Sequence, residues 1–168
     1  MSRDEAPAGV ETRRVALEVL ARVEDDGAYS NLVLSTTLER SALSVADRGF
    51  ATDLVYGTLR RQRSLDHLVD RFLTSSPPPA ARRALRLGAY QLAFRDDIPT
   101  YAAVSATVDA APKRFRGLVN AVLRKVAASP DARQLDLEQA AFALTHCELG
   151  AAMLSDWGIP AQLLDPVR

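Results

Sequence analysis

Apolar residues recur along the chain at spacings of three, four and seven, while the strict alternation of a half-buried strand is missing. Runs of β-branched residues are short and no Asn-Gly hairpin turn occurs. The pattern predicts an all-α protein. A first helix carries the stripe Val15, Ala16, Val19, Leu20 and Val23, with Thr12 as its N-cap and Gly27 stopping it after "EDD". Ser30 opens a second helix with Val33, Leu34 and Leu38 inward. "SVAD", residues 44–47, has the form of a capping box with Asp in place of Glu, and leads into a third helix bearing Phe50, Leu54, Val55 and Leu59. Ser64 caps a short fourth, "LDHLVDRFL".

The triple proline of "SPPP", residues 76–79, cannot lie inside a helix, so it predicts a rigid break between two helical halves, ending at a natural N1 position. The next segment, "AARRALRLGAYQLAF", is apolar around most of its circumference. Leu85, Ala89 and Leu92 form one stripe, Leu87, Tyr90 and Phe94 another, which predicts a central, buried helix. "RDDIP" ends it, and Pro99 and Thr100 start a helix that runs through Ala110. Pro112 separates that helix from "FRGLVNAVLRKV", residues 115–126. On a helical wheel Phe115, Leu118, Val119, Val122, Leu123 and Val126 share the core arc. Lys113, Arg114, Arg116, Gly117, Asn120, Ala121, Arg124 and Lys125 occupy the rest, if the helical phase extends back through Lys113. Two readings of this face stand open. Its cations and Asn120 would meet a polyanion, with Gly117 and Ala121 allowing close approach; or Arg124 and Lys125 complement the helix C-terminus while Asn120 ties down a neighbouring loop.

Composition is that of a globular protein of 168 residues, with 48% hydrophobic and 25% charged positions, enough for one domain with a sizeable core. The formal net charge of zero is unevenly placed. Residues 11–126 hold 18 Lys and Arg against 13 Asp and Glu, whereas residues 127–168 hold 2 against 6. A basic body with an acidic tail points to a polyanion partner. A single cysteine, Cys147, and two histidines, His67 and His146, exclude an internal disulfide and a spaced zinc cluster, and fit a reducing cytoplasm. "MSRDEAPAGV" has no apolar core of a signal peptide and no run approaches 18 apolar residues, so neither secretion nor membrane spanning is expected. Catalytic groupings are equally thin. His67 lies between Asp66 and Asp70 without a nucleophile beside it and reads as a surface helix residue. Asp25, Asp26, Asp96 and Asp97 fall at helix ends and turns, where Asp bonds locally.

Three segments carry a family resemblance: "ADRGFATDLVYGTLRRQRSLDHLVDRFL", "LRLGAYQLAFRDDIPTYAAVSATVDAA" and "GLVNAVLRKV". In order and spacing they resemble the NusB-type domain. They are most similar to the form at the N-terminus of the RsmB (Sun, Fmu) family of ribosomal RNA cytosine-C5 methyltransferases, over residues 12–126. The resemblance implies a compact all-α domain of two helical halves that binds RNA. Arg13 and Arg14 match the arginine-rich start of the first helix that antitermination factors of this type use on RNA. Arg60, Arg61 and Arg63 form a second basic cluster, and Lys113, Arg114, Arg116, Arg124 and Lys125, with Asn120, a third. Such cations contact phosphates and release counterions, with little sequence information. Tyr29 and Tyr101 are the aromatics that would stack an unpaired base, if they escape core or loop packing. In the methyltransferases the chemistry implied by the resemblance resides in a separate C-terminal Rossmann-like domain, with a glycine-rich S-adenosylmethionine loop and a Pro-Cys nucleophile. No G-x-G-x-x-G occurs here and Cys147 sits in "THCEL", so no enzymatic activity and no cofactor are expected.

The implied organisation is a disordered N-terminus over residues 1–11, the RNA-binding domain over 12–126, a polar linker over 127–136 and an acidic helical tail over 137–168. The tail segment "FALTHCELGAAMLSDWGIPAQLLDPVR" resembles a short piece of an HDOD or HD-type signalling domain over about twenty residues, with one histidine and no His-Asp pair. Thr145 and Glu148 suit a capping box, and Leu149, Met153, Leu154 and Trp157 form an apolar stripe. Such a helix would pack on the body, cover its basic face, or meet a partner, and an end at "DPVR" reads as a truncation. The leading expectation is a non-catalytic module for ribosomal RNA, with a methyltransferase domain supplying chemistry. The alternatives are an antitermination factor joining RNA to a ribosomal protein, and a pure protein-interaction module.

Overall fold

The structure is a computed structural model that describes residues 9–130. Helical periodicity becomes seven α-helices: α1 Val10–Asp26, α2 Ser30–Arg40, α3 Val45–Arg60, α4 Gln62–Asp70, α5 Pro79–Phe94, α6 Thr100–Ala110 and α7 Arg116–Ala128, the last preceded by a 3₁₀ turn, Lys113–Phe115. No strand occurs among the described residues. The acidic tail and its capping box, stripe and histidine lie outside them.

Helix α5 is the axis of the molecule, packing against α1, α3, α4, α6 and α7. Its apolar girth explains this, because Ala81, Ala84, Leu85, Leu87, Ala89, Tyr90 and Ala93 are all buried. Around it α1 gathers α2 and α3 into one half, and α6 and α7 pack on each other and on α5 in the other. The proline break falls between the halves, with Pro79 at the first position of α5. Leu20, Leu54, Leu65, Leu68, Leu85, Leu87 and Leu123 are fully enclosed, each worth about 1.5–3 kcal/mol of transfer free energy. Two glycines let helices come closer than any side chain permits. A Cβ on Gly57 would lie 2.1 Å from Cζ of Tyr90, and one on Gly88 would lie 2.4 Å from a methyl of Leu123.

The capping pattern at Ser44 holds: its hydroxyl accepts from the Asp47 amide at 3.1 Å and donates to the Asp47 carboxylate at 2.6 Å. Gly27 ends α1 in the left-handed region, φ 64°. Three boundary expectations are corrected. Thr12 is not a cap but a buried residue of the first turn, since α1 starts at Val10 from Gly9 at φ 80°. Ser64 is not the N-cap of α4, because α4 opens at Gln62 with only Arg61, at φ −106° and ψ 16°, interrupting the path from α3. The phase of α7 does not run back through Lys113, because the 3₁₀ turn winds more tightly than the helix. Phe115, on that turn, is half-buried; within α7 Leu118 is 38% exposed at the edge of the stripe, while Val119, Val122, Leu123 and Val126 form the core face.

The core also holds a polar thread. The Arg13 Nε donates to Gln91 Oε1 at 2.8 Å, and its Nη1 donates to the Gly9 carbonyl at 2.8 Å. The Gln91 amide donates in turn to the Leu87 carbonyl at 2.9 Å and to Thr107 Oγ1 at 3.0 Å. These contacts tie α1 to α5 and α5 to α6. A second contact joins α3 to α5, where the Tyr90 hydroxyl meets both Asp53 carboxylate oxygens at 3.1 Å. Burial first, and the Asp53 charge second, raise the Tyr90 phenol above its ordinary range.

Gln91→Leu strands the Arg13 guanidinium in the interior and is expected to cost about 3 kcal/mol in urea unfolding, whereas Thr107→Val costs about 1 kcal/mol. For Tyr90, the native chain holds a proton that the unfolded chain releases above about pH 10, so its contribution is complete below that pH and declines above it. The stability gap between the protein and Tyr90→Phe, about 1 kcal/mol at neutral pH, therefore narrows as urea midpoints are followed upward through pH 10.

Candidate nucleic-acid interface

The cations divide into those neutralised within the fold and those facing outward. Helix α5 carries Arg82, Arg83 and Arg86 towards acids on α1 and α4. Arg86 holds Asp66 through two bonds of 2.7 Å and Glu24 through one of 2.8 Å. Arg83 reaches Asp25 at 2.8 Å and Glu24 at 3.4 Å, and Arg82 reaches Asp66 at 3.3 Å and also pairs with Asp70. The two carboxylates flanking His67 are thus occupied by arginines, and the imidazole stays exposed on α4 without them. Arg95 bridges Asp53 and Asp97.

Among the residues expected to meet RNA, Arg13 is corrected outright. It is 4% exposed, its bonds run to Gln91 and Gly9, and burial lowers its pKa to about 10. Helix α1 begins at Val10, three residues before the start that a Thr12 cap implies, so Thr12 and Arg13 are helical and lie on its inner face in phase with Ala16, Val19 and Leu20. Arg14, next to it, is exposed and pairs with Glu11 at 3.4 Å. Arg61 places its guanidinium carbon 4.3 Å from the centroid of the Phe94 ring, with Nε buried and unbonded, so it is a packing element at the α3–α4 junction. Arg116 is likewise committed: Nη2 donates to the Asp109 carbonyl at 2.6 Å and Nε to the Ala111 carbonyl at 3.2 Å, capping the end of α6.

What remains is a smaller outward set. Arg60 and Arg63 are exposed near the α3–α4 junction; Lys113 and Arg114 stand on the 3₁₀ turn, and Arg124 and Lys125 on the last turns of α7. Arg60, Arg63, Lys113, Arg124 and Lys125 have no hydrogen bond or ion pair to another described residue, and Arg114 rests on the Phe115 ring at 4.6 Å. Asn120 is half-buried and its carboxamide has no partner among the described residues. It lines a groove of about 660 Å³ between α6 and α7 with Thr100, Tyr101, Val104, Ser105, Arg124, Ala127 and Ala128. Tyr29 and Tyr101 are each 77% exposed, and only Tyr101 borders this groove. Sequence periodicity had no means of revealing the groove, which needs two helices from separate segments, nor the inward duty of the α5 arginines, which needs acids a dozen or more positions away.

Fold and surface together define an all-helical binding domain in which the α5 arginines are paired internally, while Arg60, Arg63, Lys113, Arg114, Arg124 and Lys125 face outward at the α3–α4 junction, the 3₁₀ turn and α7. The NusB family profile matches residues 10–128, and the chain belongs to the NusB family. It is 45% identical over 120 residues to the ribosomal RNA small subunit methyltransferase B of Thermus thermophilus, covering 68% of this chain and 29% of that protein. It is 32% identical over 132 residues to the transcription antitermination protein NusB of Rhodopseudomonas palustris, covering 68% of this chain and 76% of that one. The chain thus spans about three-tenths of the methyltransferase and about three-quarters of the antitermination protein. The fold is shared with T. maritima NusB, at a TM-score of 0.64, 19% identity and coverage of 72% of this chain and 91% of that one. It is shared equally with NusB solved with NusE and double-stranded RNA, at a TM-score of 0.64, 22% identity and coverage of 71% and 95%. A second profile, the HDOD domain, matches residues 109–168, most of them beyond the described part.

Arg116→Ala releases two carbonyls at the end of α6 and is expected to cost about 1–2 kcal/mol in thermal or urea unfolding, a penalty that Arg124→Ala does not incur.

Proposed function

We propose that this domain is a non-catalytic RNA-binding module, with ribosomal RNA as its target, that holds RNA while chemistry takes place on a separate methyltransferase domain. The observation that carries the reading is the division of charge. The fold spends the arginines of α5 on internal acids, yet leaves Lys113 and Arg114 outward on the 3₁₀ turn and Arg124 and Lys125 outward on the last turns of α7 that follows it. Cations held this way meet phosphates at little reorganisation cost and yield salt-dependent affinity. The 45% identity to a ribosomal RNA methyltransferase, confined to less than a third of that protein, supports a role in substrate positioning.

A second reading is an antitermination-type factor that joins RNA to a ribosomal protein. Similarity to an antitermination NusB along 76% of that protein's length favours it, and NusB has been solved with both NusE and RNA. Co-purification of the chain with a NusE-type protein in the presence of RNA would favour this reading, and co-purification with a methyltransferase domain the first.

The test of RNA binding is affinity of the full chain for structured ribosomal RNA fragments at two salt concentrations, beside a variant carrying Arg114→Glu, Arg124→Glu and Lys125→Glu. Affinity is expected to fall steeply with salt. In the variant it weakens further, and the slope of log affinity against log salt becomes shallower by roughly 0.7–0.9 for each phosphate that the protein no longer neutralises. Salt-insensitive binding, or binding unchanged in a variant that keeps its helical circular dichroism, overturns the proposal.

A further inference from the structure

We infer that the groove between α6 and α7 is a pocket for a single unpaired nucleotide, in which the Tyr101 ring stacks on the base, Asn120 reads its edge and Arg124 holds the adjoining phosphate. This rests on the RNA-binding reading and adds to it a form of RNA and a point of recognition. The two helices present matched stripes. On α6, Tyr101 and Ser105 are one turn apart with Val104 beside them; on α7, Asn120 and Arg124 are one turn apart and Ala127 and Ala128 follow. Together they line the groove of about 660 Å³, a volume typical of small-ligand sites.

Each lining residue has the chemistry the occupant needs. Tyr101 stands 77% exposed, a ring held out on a packed helix with its face free. Val104, Ala127 and Ala128 give the groove an apolar lining suited to a base plane. The Asn120 carboxamide offers a donor and an acceptor, unpartnered among the described residues, to a Watson–Crick or Hoogsteen edge. Arg124 supplies the fork that phosphate favours, and no carboxylate is among the lining residues to repel the backbone. A paired base hides its faces in the helix stack, so the geometry selects single strands, loops or flipped-out nucleotides.

The test compares a short unstructured oligoribonucleotide with the same RNA annealed to its complement. Binding is read by fluorescence anisotropy with the full chain and with Tyr101→Ala, Tyr101→Phe and Asn120→Ala. Tyr101→Ala is expected to weaken single-strand binding about 5- to 150-fold, and Tyr101→Phe, which keeps a stacking face, to leave it within about twofold. Duplex binding is expected to change in neither. Asn120→Ala should reduce discrimination among oligonucleotides of different base more than it reduces their mean affinity. Because Tyr101 is exposed, its removal opens no cavity, and helical circular dichroism verifies the fold. If Tyr101→Ala binds single strands as the parent does while salt-sensitive binding persists, the nucleotide pocket is overturned and RNA binding stands. If no RNA binds with salt sensitivity, both readings fall.

Discussion

A guanidinium in the interior is the constraint on which the rest of the fold depends. Arg13 enters the core from the first turn of α1, where an unpaired charge would cost several kcal/mol, so the neighbouring helices must be placed to satisfy it. Gln91 on α5 meets it with an oxygen and turns its own amide to Leu87 and Thr107, while the Gly9 carbonyl accepts the second nitrogen. Few registers of α1, α5 and α6 satisfy all of these bonds together. The thread therefore aligns the two halves more specifically than apolar packing, which tolerates sliding, would do alone. Desolvation still leaves its mark in a pKa for Arg13 of about 10.

The second organising feature is where α5 places its arginines. Arg82, Arg83 and Arg86 sit on one side of a helix that is otherwise apolar but for Gln91, and they draw together Glu24 and Asp25 from α1 and Asp66 and Asp70 from α4. Bidentate contacts of this kind gain from the planar fork that arginine offers and lysine lacks. With these acids paired within the fold, none of the four is left to neutralise the cations on the 3₁₀ turn and α7. The interior pairing and the exterior charge are two results of a single allocation.

Membership of the NusB family accounts for the plan of the helices, and the relatives show that this plan occurs both as most of an antitermination protein and as a minor part of a methyltransferase. What such varied settings share is the helical domain itself. Helices α6 and α7 are fixed by the core residues Ala103, Ala106, Val119, Val122, Leu123 and Val126, so their outer stripes keep a set spacing. A groove built on packed helices holds its shape before any ligand arrives, which reduces the ordering cost of binding.

By itself the sequence determined the helices, because the 3.6-residue period, the proline break at residues 76–79, the cap at Ser44 and the stop at Gly27 are all local properties. It also made α5 recognisable as the central helix, since a segment apolar on nearly every side has to be enclosed. It was silent on which cations remain free. Arg13, Arg14, Arg61, Arg114 and Arg116 look alike as letters, yet one is buried against Gln91, one pairs with Glu11, one lies on Phe94, one rests on Phe115 and one caps α6. Those fates depend on partners up to 78 positions away, and on a 3₁₀ turn that takes Lys113, Arg114 and Phe115 out of the phase of α7. Periodicity measures what a helix can bury; only tertiary structure decides which polar groups find a partner and which are left for something else to bind.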